Sequence, residues 1–318
     1  MSDALVTGGT GFIGSHLIEK LLEKNFNVYA LVRNKKNLKW LKGINCKLIE
    51  GDLLNLPEIP EVDYIFHLAG VVRAVKGETY YKINTEGTIN LFEKAKRLKG
   101  LKRFIFVSTQ ASSGPGKDKK EDDEKNPISS YGLSKLIAEE YIKKDKSIPW
   151  TILKPAAVYG PKDKDFYEFF KLIKLGLFLK PSGGERYLNL VYVEDLVRAI
   201  IEASINENCL FKEYFIGYPE PVGWSKFAYK SAKILNKKII EIKIPFFLLK
   251  IAGLFNDFLS IIKRKPAKLN SDKVKEMEPL YWIMDTSKFI KDTGFQYKID
   301  LKTGLEETIN WYLKEGWL

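Results

Sequence analysis

The sequence has few of the residues that build metal centres, disulfide frameworks and hydrolase triads. Its 318 residues include only two cysteines, Cys46 and Cys209, and two histidines, His16 and His67. None of the four is spaced like a set of metal ligands, so we expect no metal site. Two distant cysteines are typical of a reducing compartment. No nucleophile elbow accompanies the histidines, which argues against a hydrolase.

Signals for secretion and for membrane insertion are also missing. The chain runs directly into ALVTGG (4–9) without a basic stretch and an apolar run, so we expect a cytoplasmic protein. The most apolar stretch, 244–262, is interrupted by Lys250, Asn256 and Asp257 and is too broken to span a bilayer. Its apolar positions follow a helical period. The predicted helix either packs in a second domain or, with the basic segment 263–268, contacts a membrane surface or a second subunit.

Positive charge is in excess, because 52 lysines and arginines face 40 acidic residues and give a net charge of +12. Such an excess attracts anionic ligands, although a lysine-rich solvated surface produces the same number. No nucleic-acid-binding motif accompanies the charge, so we expect a small-molecule substrate and no nucleic-acid partner.

The first half of the chain alternates short apolar runs with helical patterns. Helices are predicted at 13–24, 79–98 and 131–144, and strands at 4–9, 27–33, 46–52, 63–70, 103–109 and 150–158. This alternation predicts an α/β fold with a doubly wound parallel sheet, a Rossmann domain. We expect residues 1–155 to bind the cofactor. Residues 156–318 would mainly bind substrate, with a strand near 213–217 returning to the main sheet. The charged segment 112–130 is either a solvated loop or a lid.

Glycines mark the point where the first strand passes into the first helix. Gly9-x-Gly11-x-x-Gly14 matches the dinucleotide fingerprint, and Gly8-x-x-Gly11-x-x-Gly14 matches a variant with a wider first spacing. Glycine permits the tight turn and the close approach of backbone to a pyrophosphate. The helix N-terminus at Phe12, Ile13 and Gly14 would then face the phosphates, where free N–H groups favour anions.

The end of the second strand bears on the choice of dinucleotide. An acidic residue there would bind the ribose 2′-hydroxyl of NAD, but the sequence has Arg33 followed by Lys35 and Lys36. These cations suit a 2′-phosphate, so NADP is favoured. The alternative is that Arg33 stacks on the adenine and NAD is accepted as well.

Several motifs in order resemble the extended short-chain dehydrogenase/reductase superfamily, whose members are usually called NAD-dependent epimerases/dehydratases. They are TGGTGFIG, GDL (51–53), HLAG (67–70), NTEGTINL (84–91), VSTQASSG (107–114), YGLSK (131–135), KPAAVYGP (154–161) and VYVEDLVRAI (191–200). The resemblance implies that Asp52 and Leu53 border the adenine, and that Ala69, Gly70 and Pro155 line the cofactor path. Asn84 would be a structural hydrogen-bonding residue, and a homodimer is common in such proteins.

Tyr131 and Lys135 lie one helical turn apart, and the resemblance makes them an acid/base pair. A tyrosine near its ordinary pKa of about 10 exchanges protons poorly at neutral pH, and a nearby ammonium would lower that pKa. By the resemblance, Lys135 also reaches the nicotinamide ribose. Thr109, or the adjacent Ser108, would bind the substrate oxygen.

Two positions depart from the sugar-nucleotide branch of the superfamily. Ala157 replaces a usual asparagine and Leu188 a usual arginine, although Lys154 and Arg186 could compensate in part. The pattern is closer to dihydroflavonol reductases and 3β-hydroxysteroid dehydrogenases. We therefore expect an NAD(P)-dependent dehydrogenase or reductase acting on a ketone or secondary alcohol. A nucleotide-sugar epimerase or dehydratase with tightly bound NAD is the alternative, and a cofactor-sensing binding protein ranks last.

Overall fold

A computed structural model describes all 318 residues. Strands occur along the whole chain: β1 (Asp3–Thr7), β2 (Asn27–Val32), β3 (Lys47–Glu50), β4 (Tyr64–His67), β5 (Arg103–Val107), β6 (Gly116–Lys119), β7 (Trp150–Pro155), β8 (Ala157–Tyr159), β9 (Leu177–Pro181), β10 (Tyr187–Leu188), β11 (Leu190–Tyr192), β12 (Lys212–Ile216), β13 (Val222–Gly223), β14 (Ile240–Ile244) and β15 (Tyr281–Met284).

The central sheet contains seven strands in the order β12-β7-β5-β4-β1-β2-β3, and every pairing is parallel. The strand expected near 213–217 is β12, which pairs with β7. The order runs in opposite directions from β1, so the switch point lies between β1 and β4. In such sheets ligands bind outside the carboxyl ends of the strands at this point.

Helices cover both faces of the sheet. They are α1 (Phe12–Glu23), α2 (Glu78–Tyr80), α3 (Gly87–Ala95), α4 (Ser130–Lys143), α5 (Asp165–Lys174), α6 (Val193–Ile205), α7 (Trp224–Ile234), α8 (Phe246–Lys263), α9 (Ser271–Met277), α10 (Ser287–Thr293) and α11 (Leu301–Lys314). A π-helical segment, Tyr81–Glu86, joins α2 to α3. One buried cluster holds apolar residues of α1 and α6, and another those of α3 and α4. The predicted doubly wound α/β fold is therefore confirmed.

The predicted strand 150–158 is wrong in one respect, because it is divided between two sheets. β7 ends at Pro155, and the N–H of Ala156 donates to the carbonyl of Ile216 at 2.8 Å. The chain then leaves the central sheet, and β8 pairs with β11. Pro155 has no N–H to donate, so the backbone bends where the ladder is already weakened.

The segment 112–130 is not a freely solvated loop. It contains β6, which pairs with β15 near the far end of the chain. Within the same segment Glu121 is buried, and its carboxylate accepts a hydrogen bond from the N–H of Phe215 at 2.8 Å. These contacts attach the segment to two strands of the second half of the chain, β15 and β12.

Helix α8 occupies the apolar stretch predicted to be helical. Only Leu249, Gly253 and Ser260 of its residues are buried, so most of its surface faces outward. No helix in the chain combines the length and the apolar character needed to cross a bilayer.

Candidate active site

The glycine-rich turn after β1 has the geometry of a phosphate-binding cradle. Gly8 has a φ of +75°, and a Cβ there would lie 2.7 Å from the backbone nitrogen of Ala69. A Cβ on Gly14 would lie 2.3 Å from the carbonyl oxygen of Gly8. No side chain caps α1 at Gly11, so N–H groups of its first turn remain available to an anion. Gly8 and Gly14 are therefore sterically required at the two ends of the spacing Gly8-x-x-Gly11-x-x-Gly14.

A buried polar relay supports the cradle from the core. The N–H of Ala69 donates to the Thr7 hydroxyl at 3.2 Å, and this hydroxyl lies 2.7 Å from Nδ1 of His67. The Nε2 atom of His67 lies 2.8 Å from the hydroxyl of Thr88, which itself donates to the carbonyl of Asn84. Thr88 must therefore accept from Nε2–H, which assigns the neutral Nε2–H tautomer to His67. Burial lowers the pKa of His67 well below its ordinary value, so this tautomer persists.

Asn84 fixes the backbone that follows β4. Its side-chain oxygen accepts from the N–H of Val71 at 2.8 Å, and its side-chain nitrogen donates to the Val71 carbonyl at 3.0 Å. The same nitrogen lies 3.0 Å from the hydroxyl of Ser134 on α4. A Cβ on Gly70 would come within 3.0 Å of the Asn84 oxygen. Asn84 belongs to the π-helical segment, a feature frequent at functional sites.

The remaining candidate cofactor residues follow the ends of neighbouring strands. Arg33 is exposed directly after β2 and forms no ion pair. Asp52 follows β3 and accepts from the N–H of Leu54 at 2.9 Å, while Leu53 is buried against Gly87. Pro155 is buried at the end of β7.

Tyr131 lies in the first turn of α4 and faces the end of β5. A Cβ on Gly132 would lie 2.3 Å from the carbonyl oxygen of Ala111, so this glycine permits the helix to approach closely. The Thr109 hydroxyl accepts from the N–H of Ala111 at 3.2 Å, which leaves its proton free for donation. Ser108 instead donates into the core to Glu139. Thr109, and not Ser108, is therefore the hydroxyl beside Tyr131.

The electrostatic environment of Tyr131 differs from the expectation of a lowered pKa. Burial of the hydroxyl raises its pKa, and the negative charge of Glu276 acts in the same direction. The hydrogen bond with Thr109 acts in the opposite direction. In the protein alone the predicted lowering is wrong, because desolvation of a phenolate outweighs its hydrogen bond.

Lys135 lies one turn further along α4 and is 3% exposed. Its ammonium donates to the carbonyl of Val107 at 2.9 Å and lies 4.1 Å from the centroid of the Phe106 ring. Burial lowers the pKa of Lys135 to about 7, although Glu139 acts in the opposite direction. The side chain is thus held against the end of β5 by contacts other than Tyr131.

Helix α9 contributes residues that sequence reasoning missed. Asp272 accepts from the N–H of Ser130 at 3.1 Å, and Glu276 accepts from the hydroxyl of Ser129 at 2.8 Å. Both carboxylates therefore lie at the N-terminus of α4, where the helix dipole favours negative charge. The ring of Tyr80 lies 6.3 Å from that of Tyr131, centroid to centroid. No local pattern marks these residues, because α9 lies about 140 positions away in sequence.

The two cations expected to compensate for missing diphosphate contacts are engaged elsewhere. Lys154 is fully buried, with its ammonium 3.0 Å from a Glu139 oxygen and 2.5 Å from a Glu213 oxygen. Arg186 donates to four backbone carbonyls, the shortest bond being 2.7 Å to Met277. Neither side chain is free to bind a substrate phosphate, so that expectation is wrong.

Most of the chain, including these site residues up to β12, matches a known protein family. Residues 4–215 match the profile of the NAD dependent epimerase/dehydratase family. The chain belongs to this family. It is therefore an enzyme, an oxidoreductase on a Rossmann fold, as the sequence motifs indicate.

Relatives within the family have different substrates. An uncharacterised UDP-glucose epimerase of Bacillus subtilis is 31% identical, with 96% of both chains covered. A ceramide reductase of Caulobacter vibrioides is 24% identical over 98% of this chain and 95% of its own. The crystal structure of a UDP-glucuronic acid 4-epimerase from Bacillus cereus, in complex with UDP-glucuronic acid and NAD, superposes with a TM-score of 0.80. It is 25% identical and covers 98% of this chain and 99% of its own.

Proposed function

We propose that this enzyme transfers a hydride between a nicotinamide dinucleotide and a ketone or secondary alcohol, with Tyr131 as the acid/base. The observation that carries the proposal is the position of Tyr131 beside Thr109 at the carboxyl end of β5, with Lys135 one turn away. In this proposal Gly8, Gly11, Phe12, Ile13 and Gly14 hold the pyrophosphate.

The protein residues would act on the substrate oxygen. Thr109 donates a hydrogen bond that orients the oxygen, and Tyr131 gives it a proton when a ketone is reduced. The cofactor supplies the hydride acceptor or donor. In the oxidative direction Tyr131 accepts the hydroxyl proton of the alcohol. Lys135, held by Val107, would stabilise the tyrosinate electrostatically.

Replacing Tyr131 with Phe tests the assignment. We expect turnover to fall by about 10²–10⁴-fold, the usual contribution of a positioned acid/base, while cofactor affinity stays within a factor of a few. The matched control is Tyr141→Phe, since Tyr141 is on the same helix and donates to Glu93 away from the site. Turnover is followed by nicotinamide absorbance with a panel of ketones. Normal turnover in the Tyr131 variant would refute the proposal.

For the cofactor, we propose NADP as the preferred form and NAD as the alternative. Arg33, Lys35 and Lys36 are exposed and unpaired directly after β2, which supports recognition of a 2′-phosphate. In Arg33→Glu we expect the ratio of NADP to NAD affinity to fall by about tenfold or more. Titration calorimetry with both dinucleotides measures it, and an unchanged ratio would leave NAD as the better assignment.

Nucleotide-sugar epimerisation with retained NAD is the second candidate function, which the epimerase relatives favour. Against it stand Ala157, Leu188 and the engagement of Lys154 and Arg186 within the protein. A sugar nucleotide that stabilises the protein against heat would support the epimerase, because a ligand selective for the native state raises the Tm. Mass spectrometry of co-purifying nucleotide gives an independent test. Retained NAD in near one-to-one ratio would favour the epimerase.

We also propose that the two halves of the chain bind different ligands and that the enzyme is a homodimer. Residues 1–155 would form most of the cofactor site, and residues 156–318 most of the substrate site. Light scattering of the purified enzyme tests the dimer.

A further inference from the structure

Helix α8 is amphipathic in the opposite sense to a helix of a soluble core. Large apolar side chains cover its outer surface and are between 45% and 65% exposed: Phe247, Leu248, Ile251, Leu254, Phe255, Phe258, Ile261 and Ile262. A surface helix normally turns this face inward. A continuous exposed apolar face of this kind marks an interaction site.

Apart from the buried Leu249, the side of α8 that packs most closely on the protein consists mainly of small and polar residues. Asn256 donates to the carbonyl of Leu269 at 2.9 Å, and Asp257 accepts from the N–H of Ser271 at 3.2 Å. A Cβ on Gly253 would lie 3.0 Å from a methyl group of Val274 on α9, so the two helices are in close contact. These polar contacts fix the rotation of α8. The helix therefore cannot bury its apolar face by turning about its axis without breaking them.

Unpaired positive charge follows the apolar face. Lys263, Arg264 and Lys265 are exposed, and none of the three forms an ion pair. The carboxylates nearest in sequence are engaged, Asp257 with the N–H of Ser271 and Asp272 with the N–H of Ser130. An apolar face bordered by free cations is complementary to an anionic lipid surface. A symmetric contact with a second copy would bring like charges together when the same ends meet.

From these observations we infer that α8 docks the enzyme on the surface of an anionic lipid bilayer, lying in the interface with its apolar face in the lipid. The inference rests on the orientation of α8 and is independent of the proposed reaction. α8 packs on α9, whose Asp272 and Glu276 contact the first residues of the Tyr131 helix. Docking would therefore bring the substrate side of the active site close to the bilayer.

Co-sedimentation of the full-length enzyme with vesicles tests the inference. The probes are vesicles of phosphatidylcholine alone and of phosphatidylcholine with about 30 mol% phosphatidylglycerol. We expect binding to the anionic vesicles that weakens as salt is added. The absence of binding to both compositions would overturn the inference.

Two variants separate the apolar and the charged contributions. Phe255→Ser with Phe258→Ser should lower the partition coefficient at least tenfold, whereas the control Ile205→Ser with Leu313→Ser changes exposed apolar residues elsewhere and should not. All four positions are exposed, so folding should be retained.

The charge variant combines Lys263→Gln, Arg264→Asn and Lys265→Gln. Asparagine tolerates the positive φ of position 264. We expect a loss of about 100-fold in partitioning, since each of the three cations contributes roughly fivefold. Its control is Lys42→Gln, Lys99→Gln and Lys144→Gln, three exposed lysines outside α8.

Binding that is unaffected by either α8 variant would refute the docking surface. So would a dimer, measured by sedimentation equilibrium, that the two phenylalanine substitutions abolish in a protein that does not bind vesicles. That result would assign the face to a second copy of the chain.

Discussion

Lys135 should destabilise the protein at neutral pH, although the proposed mechanism needs it. Burial lowers its pKa to about 7, so in the unfolded chain, where lysine titrates near 10.4, the group binds a proton that the folded protein holds less tightly. Stability must therefore rise as the pH increases from about 7 towards the ordinary lysine value. The additional stability of the folded protein is fully present above the ordinary lysine pKa, and it is lost as the pH falls from that value towards about 7.

The size of the effect follows from the two pKa values. Between pH 7 and pH 10 the group alone would raise the free energy of unfolding by about 3 kcal/mol, as an upper figure. In Lys135→Met this dependence disappears, because the replacement carries no charge and fits an apolar environment beside Phe106. At pH 7 the variant should be more stable than the natural protein by about 1–3 kcal/mol while its turnover collapses.

Urea unfolding without added cofactor, at pH 7 and at pH 10, measures this difference. Groups common to both proteins cancel when the two pH dependences are subtracted. Lys144→Met is the matched control, since this lysine is exposed at the C-terminus of the same helix and should leave the dependence unchanged. If the free energy of unfolding changed equally between pH 7 and pH 10 in the natural protein and in Lys135→Met, the reasoning would be refuted.

Two further predictions concern packing around the site. Gly14→Ala should lower dinucleotide affinity by at least tenfold, because its Cβ would lie 2.3 Å from a backbone oxygen. The control Gly100→Ala meets nothing within 4 Å and should leave the affinity unchanged. Titration calorimetry measures both affinities, and equal values for the two variants would contradict the prediction. Lys154→Met should lower the free energy of unfolding at pH 7 by about 3–5 kcal/mol, because it leaves the fully buried carboxylate of Glu139 without its ion-pair partner, whereas Glu213 keeps Lys125. A loss below about 1 kcal/mol in urea would contradict the importance of this buried ion pair.

Local patterns predicted the parts of the site that local geometry determines. The turn at Gly8–Gly14 needs only residues that are close in sequence, and the spacing of Tyr131 and Lys135 is a property of any helix. The contacts of Asp272 and Glu276 with α4 could not be predicted in this way. They depend on how α9 packs, and no periodicity in α9 identifies its partner.

Helix α8 shows a different limit of sequence reasoning. Its apolar period predicted a helix with two faces correctly, but periodicity alone does not tell which face the protein covers. Here the polar side chains of Asn256 and Asp257 face inward because α9 and its preceding turn offer hydrogen-bond partners. The predicted lowering of the Tyr131 pKa was wrong for a related reason, since its burial, which is the larger effect, and the nearby Glu276 carboxylate of the distant α9 both depend on tertiary packing.

The strand order also has a consequence for synthesis of the protein. β7 leaves the ribosome with one edge unpaired, and its partner β12 is made only after a further 56 residues, 156–211. The stretch of chain synthesised between β6 and its partner β15, which ends at Met284, is longer still. During translation the nascent chain must therefore keep an apolar strand edge from pairing with neighbouring chains. A fragment that ends near residue 155 would keep that edge permanently open, so we expect it to aggregate more readily than the full chain.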